Sequence, residues 1–347
     1  MARNVAIDQL RGGLIALVIV GHIVLGSVHD NLVRYAIYAF HMPLFIVLTG
    51  YLINTPLLLR QSMSATLSRY WQRVLKPFVV AFIFFTSVLA FHAWQENRLD
   101  SGWLVFSFVS PYYHLWFVPT LVIWVVGLAI ILKTKMPLWF ALFVSVAFSL
   151  LWGSVASDEL PKLVALLQSK KVVYFFSFFL LGVKLRQLQA EGRLQALGRY
   201  MPVLILVCGS TALVYMLGMG AVKTPIKAIA WYAFNVSLFL IALNWIYKVG
   251  SVSHADVVQK SQPVVSFAQS AAQQFEMMGR LSLPIYLWHV LPLFLLKGFD
   301  VHETHTLIYY LTGSVLCIAV VWLVGHFENK WASVDRWVYG VPTITTK

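Results

Sequence analysis

The sequence predicts an all-α integral membrane fold, a bundle of about ten transmembrane helices with the amino and carboxyl termini both in the cytoplasm (N-in/C-in). Three observations carry this expectation. Of the 347 residues, 60% are hydrophobic and only 11% charged, with a mean hydropathy of +0.77, far outside the range of soluble domains. The apolar residues fall into runs near the roughly 20 residues that a helix needs to cross the hydrocarbon. The cations collect in short segments between those runs rather than in a tail.

Taken in order, the expected spans are 11–29, 35–54, 77–94, 113–132, 137–153, 172–188, 202–219, 226–247, 283–300 and 306–326. Each must satisfy its backbone hydrogen bonds internally, which a single segment in lipid does only as a helix. With the amino terminus inside, 18 of the 26 Lys and Arg residues fall in cytoplasmic segments, as the positive-inside rule requires. Arg3, Lys260 and Lys347 are among them, and Lys162 and Lys223 are among the exterior minority. Two connecting segments have helical periodicity without spanning length. Between Arg60 and Lys76 an apolar stripe (Met63, Leu67, Tyr70, Val74) opposes Arg69, Arg73 and Lys76, and a second stripe runs from Val264 to Met278. Both are expected as amphipathic helices along the cytoplasmic interface.

Trp94, Trp103, Trp152, Trp245 and Trp331 lie near helix ends, where tryptophan anchors at the lipid–water boundary. The formal charge of +13 lacks the dense basic patch of a nucleic-acid binder, so no nucleic-acid partner is expected. Cys208 and Cys317 lie in separate apolar runs with no metal-ligand spacing, so neither a metal site nor a disulfide framework is expected. No cleavage site follows the first run, which is read as a retained helix. There is no internal repeat and no long hydrophilic stretch, so residues 1–347 read as one membrane domain without a fused extracytoplasmic domain.

Ionisable groups inside membrane helices are costly and mark functional sites. The first helix carries Asp8, Arg11 and His22. At about 100° per residue, Arg11 and His22 lie within about 20° of one face, and Asp8 within about 40° of His22. The rise of about 1.5 Å per residue puts His22 roughly 16 Å from Arg11 along the axis and roughly 21 Å from Asp8. Asp8 is therefore expected to pair near Arg11 or with the following basic segment, not to orient His22. His41, in the second helix beside Pro43, lies as far from the intervening turn as His22, so the two imidazoles are expected at one depth.

Asp8-x-x-Arg11 with His22, Phe40-His41-Met42-Pro43-Leu44-Phe45, Thr49-Gly50-Tyr51, Arg69-x-x-x-Arg73 before Lys76-Pro77, His114-Leu115-Trp116-Phe117 and Tyr286-Leu287-Trp288-His289 together resemble the acyltransferase-3 family of membrane O-acyltransferases. Thr49 stands where relatives often have Ser, which keeps the hydroxyl. The resemblance implies transfer of an acyl group, commonly acetyl from acetyl-CoA, to a hydroxyl of a carbohydrate or small metabolite. Acetyl-CoA is then a donor substrate, and no bound cofactor is implied. The acceptor classes so implied are envelope polysaccharide and lipid-linked sugar, and the location a bacterial inner (cytoplasmic) membrane. Arg11 and His22 match the family's functional pair and Arg69 and Arg73 its basic pair.

On this reading Arg69, Arg73 and Lys76 hold the anionic donor, with His22 as the base that deprotonates the acceptor and His41 as its support. A two-step route through an acylated His22 uses the same residues. His114, Trp116 and His289 are candidate acceptor-side groups, with interfacial anchoring or helix packing as their ordinary roles. Positive-inside placement is the ordinary role of Arg69, Arg73 and Lys76. A proton-coupled transporter or flippase is the rival function for a bundle with buried His and Arg.

Overall fold

The computed structural model describes residues 4–109, 111, 114–154, 169–219, 225–251, 267–298 and 301–340. Arg3, Lys162, Lys223, Lys260, Lys347 and the start of the 264–278 stripe lie outside the described residues. All regular structure among the described residues is helical. The elements are α1 (Val5–Ile23), α2 (Leu32–Tyr51), α3 (Thr55–Arg60), α4 (Met63–Tyr70), α5 (Lys76–Gln95), α6 (Ser101–Val109), α7 (Phe117–Lys133), α8 (Leu138–Ser154), α9 (Ser169–Ala190), α10 (Met201–Leu217), α11 (Pro225–Ser251), α12 (Phe267–Arg280), α13 (Ser282–Trp288), α14 (Leu291–Gly298), α15 (Val301–Thr304), α16 (Thr306–Phe327) and α17 (Ala332–Trp337).

Among the described residues six helices are long and apolar enough to cross a membrane, or seven if the bent pair α12 and α13–α14 is one span. α7 and α8 are apolar but shorter, and α9 covers the remaining expected run. Large apolar side chains on these helices stand exposed, Leu206, Leu217, Leu307 and Ile318 among them, which only a lipid surround tolerates. The protein is a multi-pass helical membrane protein.

Several boundaries differ from the expectation for local reasons. The helix expected at 11–29 runs Val5–Ile23, because the Asn4 side chain accepts the Ile7 N–H at 3.2 Å and caps an earlier start. It stops before a polar turn in which Asp30 accepts the Ser27 N–H at 2.6 Å. The basic segment expected as a separate interfacial helix is instead the start of a 33-residue helical run, Met63–Gln95, joined through a π-helical turn at Trp71–Leu75. At 1.5 Å per residue that run is about 50 Å long against a hydrocarbon core of about 30 Å, so part of it must stand outside the apolar layer unless it tilts steeply. The span expected at 283–300 is broken between Trp288 and Leu291, because Pro292 has no N–H to give the Trp288 carbonyl.

Contacts divide the chain into two compact units, Met1–Leu48 with Arg186–His326 and Thr49–Leu185 with Phe327–Lys347. In the first, α12 docks along α1 instead of standing alone. A Cβ added at Gly12 would overlap the Phe275 carbonyl, and one added at Gly279 would overlap the Asp8 carbonyl. Two glycines, one on each helix, thus let the two backbones touch. Also in this unit, Pro43 leaves the Ala39 carbonyl without its helical N–H. That carbonyl accepts instead from Trp231 Nε1 at 2.6 Å and Asn235 Nδ2 at 3.1 Å, which fixes α11 beside α2. In the second unit, Trp124 Nε1 of α7 donates to the Val172 carbonyl at 2.8 Å, Ser149 of α8 donates to the Tyr174 carbonyl at 2.8 Å, and Lys133 Nζ donates to the Gln61 carbonyl at 3.0 Å.

Gly12→Val or Gly279→Val forces the two backbones apart, and each is expected to destabilise the protein by at least about 1–3 kcal/mol, read as a lower melting temperature in detergent. Gly13→Val, where an added Cβ meets nothing within 4 Å, is the matched control and leaves the melt near that of the parent.

Candidate active site

The site in the first unit is built on the polar stripe of α1. Because α12 holds α1 at backbone distance and runs on into α13, Arg11 meets the head of α13: its guanidinium donates to Ser282 Oγ at 2.7 Å. Ser282 is itself buried, at 2% exposure, so this bond fixes the guanidinium away from bulk solvent. Asp8, one turn earlier, acts electrostatically on Arg11, as its spacing implies. Eleven residues further along α1, half-buried His22 lies with its ring centroid 5.2 Å from that of His289. Arg11 and His22 thus each face the broken helix, at its beginning and at its break.

His289 is wholly buried. Its Nδ1 donates to the Ile285 and Tyr286 carbonyls at 3.0 and 2.9 Å, and the Ile285 carbonyl also takes the His289 N–H at 2.9 Å. That assignment makes Nε2 the acceptor nitrogen of the neutral ring. The His289 carbonyl accepts from Cys317 Sγ at 3.4 Å. His289, weighed from sequence as an acceptor-side group, therefore sits against His22 itself.

His41 is buried at 3% exposure and donates from Nδ1 to the Ile37 carbonyl at 2.7 Å. Tyr38 links it to His22, with its ring 4.9 Å from His41 and 6.5 Å edge-on from His22. The Arg34 guanidinium lies 5.2 Å from the centre of the Tyr38 ring and donates to the Val24 and Gly26 carbonyls at 2.9 and 2.8 Å, tying the α1–α2 turn to the same face. Sequence reasoning passed over Tyr38, although Arg34, Tyr38 and His41 recur at four and three residues, which puts them on one helical face. It also passed over Ser282, for which a single sequence carries no signal.

In the second unit, Arg69 and Arg73 line a cavity of about 180 Å³ with Thr66, Tyr70, Asn54 and Gln61. Arg73 is on the π-helical turn. Pro77 cannot give the Arg73 carbonyl an N–H, and the Gly340 backbone, at φ +67°, packs against that carbonyl instead. Lys76, expected alongside the arginines, does not line this cavity: its ammonium donates to Gln72 Oε1 and lies 5.4 Å from the centre of the Trp337 ring. His114 is buried edge-on to Phe85, with centroids 5.4 Å apart. The Trp116 ring stacks on Phe175 at 5.8 Å and carries Lys171 Nζ 5.0 Å from its centre. Among the described residues no group of three His, Cys, Asp or Glu could hold a metal ion.

Residues 4–326 match the sequence profile of a family described as an acyltransferase domain. Nodulation protein NolL of Sinorhizobium fredii (strain NBRC 101917 / NGR234) is 30% identical over 233 residues, which are 63% of this chain and 58% of that protein. The chain thus spans under two thirds of the length of that relative. No solved structure matches.

Ser282→Ala removes the acceptor of the Arg11 guanidinium. It is expected to cost about 1.5–3 kcal/mol of stability. A melt within about 0.5 kcal/mol of the parent would show that Arg11 is held by other groups.

Proposed function

Because the chain belongs to the acyltransferase-3 family of membrane O-acyltransferases, we propose that it moves an acetyl group from acetyl-CoA to a hydroxyl of a carbohydrate acceptor, an envelope polysaccharide or a lipid-linked sugar. The observation that carries this reading is the meeting of Arg11 with Ser282 and of His22 with His289 along one face of α1. A guanidinium and an imidazole held on one helix face, each against a buried polar partner, supply a fixed positive charge and a proton acceptor in a site that lipid otherwise keeps apolar.

His22 accepts the proton of the acceptor hydroxyl as its oxygen attacks the thioester carbonyl. The new ester C–O bond forms, the C–S bond breaks, and the proton passes from His22 to the leaving thiolate. His289 and, through Tyr38, His41 are positioning residues for that imidazole. The two guanidiniums of Arg69 and Arg73 bind the anionic part of the donor. With about ten spans and both termini inside, both arginines lie on the cytoplasmic side, where acetyl-CoA is available, and the membrane is a bacterial inner membrane.

In nanodiscs, release of the CoA thiol from acetyl-CoA is expected in the parent protein and in Lys76→Ala. His22→Ala should lower turnover at least about 100-fold without changing donor affinity, and Arg69→Ala with Arg73→Ala should weaken donor binding. Substantial turnover by folded His22→Ala would remove the histidine from the chemistry. Labelled acetyl retained on the quenched parent protein would replace the direct step with a two-step route through an acyl-enzyme.

A further inference from the structure

We infer that the groove between α7 and α8 seats one acyl chain of an anionic phospholipid, whose phosphate is met by Lys135 in the turn that joins the two helices. The groove has a volume of about 370 Å³ and lies wholly within the second unit. Small side chains open it. Gly127 on α7 leaves room up to the Phe176 ring of α9, which an added Cβ would meet at 3.3 Å, and Ala141 and Ser145 lie one turn apart on α8. Buried Trp124 forms part of the wall, its indole held by the Val172 carbonyl at 2.8 Å. Phe140 and Phe148 also line the groove and stand 44% and 58% exposed. The groove is therefore open along its side to whatever surrounds these helices, which in a membrane is hydrocarbon.

Its length is that of one leaflet. The lining runs over eight residues of each wall, from Ile123 to Ile131 on α7 and from Phe140 to Phe148 on α8. That is about 12 Å, against roughly 15 Å for half of a hydrocarbon core of about 30 Å. One end lies at the α7–α8 turn, where Trp139 is 63% exposed, as an indole at the lipid–water boundary is. Lys133 and Lys135 flank that turn, and both are exposed. Lys133 Nζ donates to the Gln61 carbonyl at 3.0 Å, while Lys135, at φ +56°, ends α7. No Asp or Glu occurs between Asp100 and Asp158, and among the described residues neither ammonium has a carboxylate within ion-pair distance. The charge at this end of the groove is thus not neutralised internally.

Apolar contact alone does not choose the occupant, because a chain that leaves bulk lipid for the groove exchanges one apolar surround for another. Shape and charge choose it. A helix from a second copy of this chain, about 10 Å across and 12 Å long, needs roughly 900 Å³, more than twice the volume present. A single hydrocarbon chain fits between α7, α8 and α9 and touches protein on three sides. At the turn, a headgroup with a net negative charge gains from the two ammoniums, whereas a zwitterionic headgroup brings a cation of its own and gains less. A phospholipid with an anionic headgroup supplies both parts, the chain in the groove and the phosphate at the interface where it begins. The assignment does not rest on the donor reading above.

The test titrates the full chain in detergent with phosphatidylglycerol and with phosphatidylcholine of the same chains, and reads bound lipid by native mass spectrometry. The parent protein is expected to hold one phosphatidylglycerol about tenfold more tightly than phosphatidylcholine. Ala141→Leu, which fills the groove, loses that tight site, and Lys135→Gln lowers phosphatidylglycerol to the level of phosphatidylcholine. Val144→Phe fills the groove from a second position and replaces Ala141→Leu should that variant fail to fold, as judged by its melt. Phosphatidylglycerol brominated at mid-chain is expected to quench the parent more than Trp124→Phe, which locates the chain beside the indole. Equal binding of the two lipids by the parent, or a tight site that survives in folded groove-filled protein, overturns the proposal. So does equal quenching of the parent and Trp124→Phe. A dimer of the parent that is lost in Ala141→Leu gives the groove to a second copy and overturns it as well.

Discussion

The first unit depends on one steric permission, the absence of side chains at Gly12 and Gly279. With a Cβ at either position, α1 and α12 could not lie backbone to backbone. Because α12 turns directly into α13, the spacing of that helix pair sets where Ser282 begins the next helix, and so where the Arg11 guanidinium finds its acceptor. In a membrane, where apolar surface gains little by leaving lipid for protein, close packing through small residues is a main source of helix association. The polar stripe of α1 is thus held by van der Waals contact and a charge-assisted hydrogen bond.

Two prolines then place backbone irregularities beside the candidate catalytic groups. Pro43 deprives Ala39 of a donor, and the orphaned carbonyl is met by Trp231 and Asn235 two residues before His41. Pro292 does the same to Trp288, next to the break at which His289 donates to the carbonyls of Ile285 and Tyr286. Broken backbone at membrane depth is tolerated only where protein groups satisfy the freed atoms. At Ala39 an indole and an amide do so; near Trp288 the His289 imidazole bonds the Ile285 and Tyr286 carbonyls, which fixes its ring beside His22.

The two groups of charged residues are built in different ways. Arg11 is fixed by a buried partner and Asp8 acts on it, as suits a charge that positions other groups. Arg69 and Arg73 line a cavity with exposed or half-exposed guanidiniums and no internal carboxylate among the described residues, as suits charges kept for an incoming anion. Lys76 belongs to neither group, since Gln72 and the Trp337 ring engage it locally.

Period and hydropathy in the chain alone settled the helical class, the approximate position of the helices of which six or seven are long and apolar enough to cross a membrane, and the common face of Asp8, Arg11 and His22. These follow from helix geometry and from the cost of charge in lipid, both of which act within one segment. The common face of Arg69 and Arg73, four residues apart, was equally legible. What the tertiary structure decided are pairings across more than 250 residues, Arg11 with Ser282 and His22 with His289, together with the removal of Lys76 from the basic cavity. Those depend on which glycines let backbones touch and on which neighbours satisfy a carbonyl left by proline. Such contacts between segments remote in sequence leave no periodic trace in any one of them.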